Sequence, residues 1–164
     1  MYTIYIALKC VQHLHELYEA SVYGALDVVK FFLKYTDVSP SITNHFGWTS
    51  LHGAVANGHF ECAQLSLERK AESSPISDTG KTPIDFLNSG KTHYDHILTG
   101  RMHYKELGCT EKTLGEGIYT PEQKFQMEEL LEKHEARSSK ELYESLGSDA
   151  FDKQKYSHPG WGGY

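Results

Sequence analysis

Gly47-Trp48-Thr49-Ser50-Leu51-His52 and Gly80-Lys81-Thr82-Pro83-Ile84-Asp85 are two versions of one phrase, set 33 residues apart. A fixed offset of that size marks an array of stacked units, each too small to bury its apolar face except against its neighbours. One unit upstream, Leu17-Tyr18-Glu19-Ala20-Ser21-Val22-Tyr23-Gly24 parallels Leu51 to Gly58. Gly24-Ala25-Leu26-Asp27-Val28-Val29-Lys30-Phe31-Phe32-Leu33 likewise parallels Gly58 to Leu67. Here the offset is 34, so the first connecting loop carries one additional residue, and loops absorb such changes more easily than packed helices do.

Each residue type in the phrase has a physical use. Thr49 and Thr82 precede an apolar helix and can cap its first-turn amides, and Pro83 suits the first helical position because it has no N–H to lose. Leu51, Ala54 and Val55 recur at helical spacing. Gly24 and Gly58 end the first helix of a unit, where left-handed backbone favours glycine. Val28, Val29, Phe32 and Leu33 then give a second helix its apolar stripe, matched one unit later by Cys62, Ala63, Leu65 and Leu67, with Ser66 as a polar intrusion.

The repeat resembles the ankyrin repeat, a unit of about 33 residues made of a β-turn and two helices around a T-P-L-H-x-A phrase. That phrase stands here as Thr49-Ser50-Leu51-His52-Gly53-Ala54, and as Thr82-Pro83-Ile84-Asp85, where Asp85 replaces the His of the family. Asn57-Gly58-His59-Phe60-Glu61-Cys62-Ala63 looks like the family's entry into the second helix. The resemblance covers about Leu17 to Leu98 and implies an all-α solenoid of helix-turn-helix units with β-turn fingers. It also implies a role for His52 in hydrogen bonding across repeats, and protein binding through the fingers and the inner face of the first helices. Carried over by position, the partner-binding residues are His45, Phe46, Trp48, Ala56, Asn57, Asp78, Thr79, Lys81, Phe86 and Ser89. Phe46 and Trp48 stand out, because two large aromatics on a solvated finger expose apolar surface unless something covers them. Trp48 could instead pack on the adjacent finger or the N-terminal segment.

The expected organisation is an N-terminal extension or capping segment at 1–16, ankyrin-like repeats at 17–100, a helical extension at 101–147 and an extended tail at 148–164. The third repeat degrades after Asp85: Leu87 occupies the small-residue position, Ser89-Gly90 arrives early, and His93, Tyr94, Ile97 and Leu98 are left to form the second helix. Thr120-Pro121-Glu122-Gln123 is a strong helix start. The helix it opens runs to about Ala136, with Phe125, Met127, Leu130, Leu131 and His134 on a broad face, and either covers the end of the array or docks into a partner's groove. Ser138-Ser139-Lys140-Glu141 opens a shorter helix, with Leu142, Tyr143 and Leu146, stopped by Gly147. In the tail, Phe151, Tyr156, Trp161 and Tyr164 are spaced as anchors for pockets on a partner, or fold back on the repeats.

With 164 residues, 39% hydrophobic and 23% charged, the chain suits one modest domain with extensions. A net charge of −6 with no dense basic cluster argues against general nucleic-acid affinity. No apolar run approaches the roughly 20 residues of a membrane-spanning helix. The N-terminus has no basic region and no small-residue cleavage site, so it does not read as a secretory leader. Three cysteines without a C-x-x-C pair, Cys10, Cys62 and Cys109, fit a reducing compartment, and the expected location is intracellular and cytoplasmic, with organellar membership left open.

No catalytic template is present: neither a phosphate-binding G-x-x-x-x-G-K-[ST], nor a G-x-S-x-G elbow, nor H-E-x-x-H. Among ten histidines, His13-x-His15 diverges on a helix and His93-x-x-His96 lacks further ligands. The sequence therefore predicts no cofactor, no metal, no small-molecule substrate and no catalysis. It predicts a protein-binding module, an accessory subunit or scaffold of a larger assembly, with an exchangeable adaptor as the alternative and an unrecognised enzyme as a remote one. The short array and the long aromatic-bearing extension favour the subunit, because a minimal array gains most from a partner that covers its ends.

Overall fold

A computed structural model describes residues 16–44, 46–89 and 119–147, and all regular structure among them is helical. Helix α1 is described over 16–22. It is followed by α2 (Leu26–Tyr35), α3 (Ser50–Ala56), α4 (Phe60–Glu68), α5 (Pro83–Ser89), α6 (Pro121–Lys133) and α7 (Ser139–Leu146). Helices α1/α2 and α3/α4 are the paired helices of the first two repeats, and α5 is the first helix of the third.

The joints follow from the sequence. Gly24 and Gly58 turn the chain between paired helices at φ 68° and 76°, as their left-handed positions require. Thr49 caps α3 in reciprocal fashion: its hydroxyl accepts the His52 N–H while the His52 ring accepts the Thr49 N–H. Pro83 stands at the first position of α5. Thr120 with Gln123 and Ser138 with Glu141 repeat the reciprocal cap at α6 and α7, and Gly147 ends α7 at φ 74°.

One apolar core runs through the stack, uniting Leu17, Val29, Phe32, Leu51, Val55, Cys62, Leu67 and Leu87 with Met127, Leu130 and Leu131 of α6. Within it Ser66 is tolerated because it is satisfied. Its hydroxyl donates to the Cys62 carbonyl at 2.9 Å and lies 3.4 Å from that of Ser50. Burial raises the Cys62 thiol to about 11, with the Glu61 carboxylate adding to the effect and Lys30 opposing it, so the thiol stays protonated at neutral pH.

Two side chains depart from the expected stripes. Val28 lies on the outer side of α2, because Val29 and Phe32 already fill the inward arc, and Phe125 of α6 is exposed while Met127, Leu130 and Leu131 face inward. The helix expected at His93–Leu98 lies outside the described residues.

Candidate functional site

Two turn fingers stand side by side. In the first, the Asn44 N–H donates to the Trp48 carbonyl at 2.9 Å, and Asn44 Oδ1 accepts the N–H groups of Phe46 and Trp48, each at 3.0 Å. In the second, the Ser77 N–H donates to the Lys81 carbonyl at 2.9 Å, and Ser77 Oγ accepts the Lys81 N–H at 3.1 Å. Each finger is thus closed by the polar side chain at its own first position. The two are tied together where the Asp78 N–H donates to the Phe46 carbonyl at 3.0 Å. Gly47 permits this approach, since a Cβ there would lie 2.8 Å from the Asp78 backbone nitrogen.

His52 ties the second repeat to the third. Because Nδ1 accepts the Thr49 N–H, the proton of the neutral ring sits on Nε2, which donates to the Lys81 carbonyl at 3.1 Å, at the base of the next finger. The cross-repeat role implied by the resemblance is therefore realised in this side chain.

The expected binding residues fall into two groups. Phe46 is 42% exposed at its finger, Thr79 and Lys81 are exposed, and Asp78 and Asn57 are half-buried. Asn57 turns its amide inward to the Gly53 carbonyl at 2.8 Å. Trp48, Ala56 and Phe86, by contrast, are buried with Tyr18 and Val22 in a second apolar cluster. There the Trp48 ring meets Tyr18 edge-on at 6.4 Å and Phe86 at 5.2 Å, and stacks on His52 at 6.4 Å. The expectation of a Phe46/Trp48 surface pair is corrected accordingly. Trp48 is 4% exposed and links α1, α3 and α5, because an indole loses less by filling the groove between first helices than by standing on a solvated finger. His45 and the tail aromatics Phe151, Tyr156, Trp161 and Tyr164 lie outside the described residues, as does the side chain of Ser89.

A feature that the motif did not reveal lies on α2. Val28, Phe31 and Tyr35 are 44, 54 and 67% exposed, and their i, i+3, i+7 spacing aligns them on one side of the helix. Phe31 and Tyr35 touch each other, with ring centroids 5.8 Å apart. Tyr23, also exposed, precedes the helix at the Gly24 turn. The signal was in the sequence, since α2 carries more large apolar residues than one inward stripe can bury. Among the described residues, no helix is long and apolar enough to cross a membrane, and no group of three His, Cys, Asp or Glu side chains is placed to hold a metal ion.

Paired helices, interlocked fingers and a His link between repeats define a stacked-repeat protein whose exposed fingers are fixed by backbone hydrogen bonds. Residues 17–65 match the family model described as ankyrin repeats (many copies), in line with the repeat architecture. A stretch of 69 residues, 42% of the chain, is 32% identical to ankyrin repeat protein nuc-2 of Neurospora crassa, and the match spans 6% of that protein's length. Ankyrin repeats act as protein–protein interaction modules.

Proposed function

We propose that this chain is a non-catalytic accessory subunit or scaffold of a larger protein assembly, held through more than one face. The observation that carries the reading is the Val28–Phe31–Tyr35 stripe with Tyr23 beside it. Several large apolar side chains exposed along one side of a helix are a liability unless a partner covers them. The fingers supply the second contact, with Phe46 as an apolar anchor and Asp78, Thr79 and Lys81 as the polar rim. Asn57 is a lesser contributor because its amide is already engaged within α3. Trp48, Ala56 and Phe86 support this surface from beneath.

On this reading the partners are proteins, with no nucleic acid, small-molecule substrate or cofactor involved, and the location is intracellular, set by the assembly the chain joins. An exchangeable adaptor would instead keep its surfaces polar enough to remain dispersed when alone.

The test compares the tagged chain in native extract with the purified chain. The subunit reading expects the extract form to elute at the mass of a stoichiometric complex. It expects the purified form to self-associate and bind a hydrophobic dye, and Phe31→Glu/Tyr35→Glu to abolish both while the helical circular dichroism is kept. The same double variant should drop out of the complex. A dispersed monomer in both settings, indifferent to these substitutions, would sink the subunit reading and favour the adaptor.

A further inference from the structure

We infer that the third repeat is split: α6 is its second helix, although it follows α5 at a distance in sequence. The inference does not rest on the proposed function. Three correspondences carry it, each between atoms of the second repeat and atoms of the third.

The first is the way α4 and α6 end, an ending that α2, closed by an extended Thr36, does not share. After α4, the N–H groups of Arg69, Lys70 and Ala71 donate to the carbonyls of Leu65, Leu67 and Ser66 at 3.1, 2.9 and 3.0 Å, with Lys70 left-handed at φ 63°. After α6, the N–H groups of His134, Glu135 and Ala136 donate to the carbonyls of Leu131, Glu132 and Leu131 at 3.1, 2.9 and 3.0 Å, with Glu135 at φ 57°. Lys70 and Glu135 are the two non-glycine residues of positive φ among the described residues. A left-handed residue without glycine is costly, so its recurrence at the same point of two helices indicates one local design. The likeness is one of backbone, since of the seven paired positions from Leu65 to Ala71 and Leu130 to Ala136 only the first and the last carry the same residue.

The second is how the second helix reaches back to the preceding repeat. Ahead of α4, His59 Nε2 donates to the Val22 carbonyl at the end of α1, at 2.9 Å. Ahead of α6, the Tyr119 hydroxyl donates to the Val55 carbonyl near the end of α3. Tyr119 is mostly buried, which pushes its hydroxyl above the ordinary tyrosine range and keeps it a donor.

The third is the forward link. His52, the third residue of α3, bonds at the base of the next finger through the Lys81 carbonyl. Asp85, the third residue of α5, accepts the Ser139 N–H at the start of α7, at 3.1 and 3.3 Å to its two oxygens. The Asp that replaces the family's His is thus matched to its target. A carbonyl requires a donor and His supplies it, whereas a helix-start amide requires an acceptor and a carboxylate supplies it. Ser74 Oγ adds a further bond by accepting the Arg137 N–H at 2.8 Å. In the first two repeats three residues separate the paired helices, whereas 31 separate α5 from α6.

A split repeat makes the covalent connector dispensable once the chain has folded. The experiment places a specific protease site after Gly108 in the full-length chain, cleaves the folded protein and passes it through size exclusion. The expected result is co-elution of the two fragments as one species, with the helical circular dichroism of the uncleaved chain and a single melting transition. In the same background, Asp85→Ala should speed fragment dissociation about tenfold, as loss of a charge-assisted hydrogen bond implies. Leu131→Asp should release the C-terminal fragment outright. Separation of the wild-type fragments under native conditions, or an N-terminal fragment that melts as the intact chain does after the other is removed, would overturn the inference.

Discussion

The second and third repeats perform the same joinery with different side chains. At the third position of the first helix, the second repeat has His52 and the third has Asp85. Both close a cap on their own Thr: His52 Nδ1 accepts the Thr49 N–H, and Asp85 Oδ2 accepts the Thr82 N–H at 2.9 Å and its hydroxyl at 3.1 Å. They differ in what they offer onward, a ring N–H in one case and, in the other, a carboxylate that accepts the Ser139 N–H with both of its oxygens. The difference teaches that a departure from a repeat motif can mark a change of neighbour and not decay. Where another finger follows, the motif residue donates; where α7 begins two residues after the second helix's closing turn, it accepts.

The comparison is tested hardest at the core. Leu51 and Leu131 are both fully buried in the one apolar cluster, the first in α3 and the second in α6. If α6 completes the third repeat, Leu131→Ala destabilises the whole chain about as much as Leu51→Ala, by roughly 3 kcal/mol each, in a single urea transition. An appended helix would behave otherwise: Leu131→Ala would melt α6 alone and leave the main midpoint in place.

The links come next. His52→Ala removes a buried cap and a cross-repeat bond together and leaves the Lys81 carbonyl without its ring donor, a loss of about 2–3 kcal/mol. Asp85→Ala loses bonds that are only partly buried, and about 1 kcal/mol is expected. The difference between the two, read from denaturation midpoints at equal slope, measures how much burial adds to the same connection. Equal costs would mean that the onward bonds contribute little and the caps dominate both.

Much of this was legible in the sequence and some was not, for reasons that lie in particular residues. The 33-residue phrase, the Thr caps, the glycine turns and the Pro121 and Ser138 helix starts rest on local chemistry, which a chain declares within a few positions. Trp48 was harder to place. Its exposure depends on whether Tyr18 and Phe86, 30 and 38 residues away, approach it, and composition cannot report distance. The α2 face was visible as an excess of apolar residues but not as an excess on one side until the inward arc was known. Leu130 to Ala136 ends its helix with the same backbone as Leu65 to Ala71, but the two stretches share only their first and last residues and stand 65 residues apart, so neither pattern nor period points to it.

A smaller effect separates turns that touch a neighbour from one that does not. Gly24 and Gly147 have φ 68° and 74°, so alanine is strained at both, by about 1 kcal/mol. At Gly24 a Cβ would also stand 2.4 Å from His59 Nδ1, displacing the ring that bonds Val22, whereas at Gly147 it meets nothing within 4 Å. Gly24→Ala should therefore cost about 2 kcal/mol against about 1 for Gly147→Ala, since it adds a steric conflict to the same strain. Equal values from parallel thermal melts would mean that the His59 link contributes nothing.

The smallest effect concerns the third member of the series, Glu141, which occupies in α7 the position of His52 in α3 and Asp85 in α5. Its carboxylate accepts the Ser138 N–H at 2.7 Å and the Ser138 hydroxyl at 2.8 Å, and these bonds, the backbone one first, hold its pKa below the ordinary 4.5. A depressed carboxylate stabilises the fold above the unfolded pKa, and that contribution disappears as the pH falls through the folded value. Between pH 7 and pH 5 the cap of α7 is therefore constant, and it weakens only below about pH 4.5. The side chain is fully exposed, so solvent screens the gain and the main unfolding transition should hardly register it. The Ser138 amide resonance reports it directly. In Glu141→Gln, which keeps an acceptor and removes the charge, that resonance should lose its acid-range titration, while the wild-type resonance moves with a midpoint below 4.5. A wild-type midpoint at or above the ordinary value would show that Glu141 does not hold the start of α7 in solution. Asp85, which accepts the next amide along at Ser139, would then be left as the side chain that fixes where α7 begins.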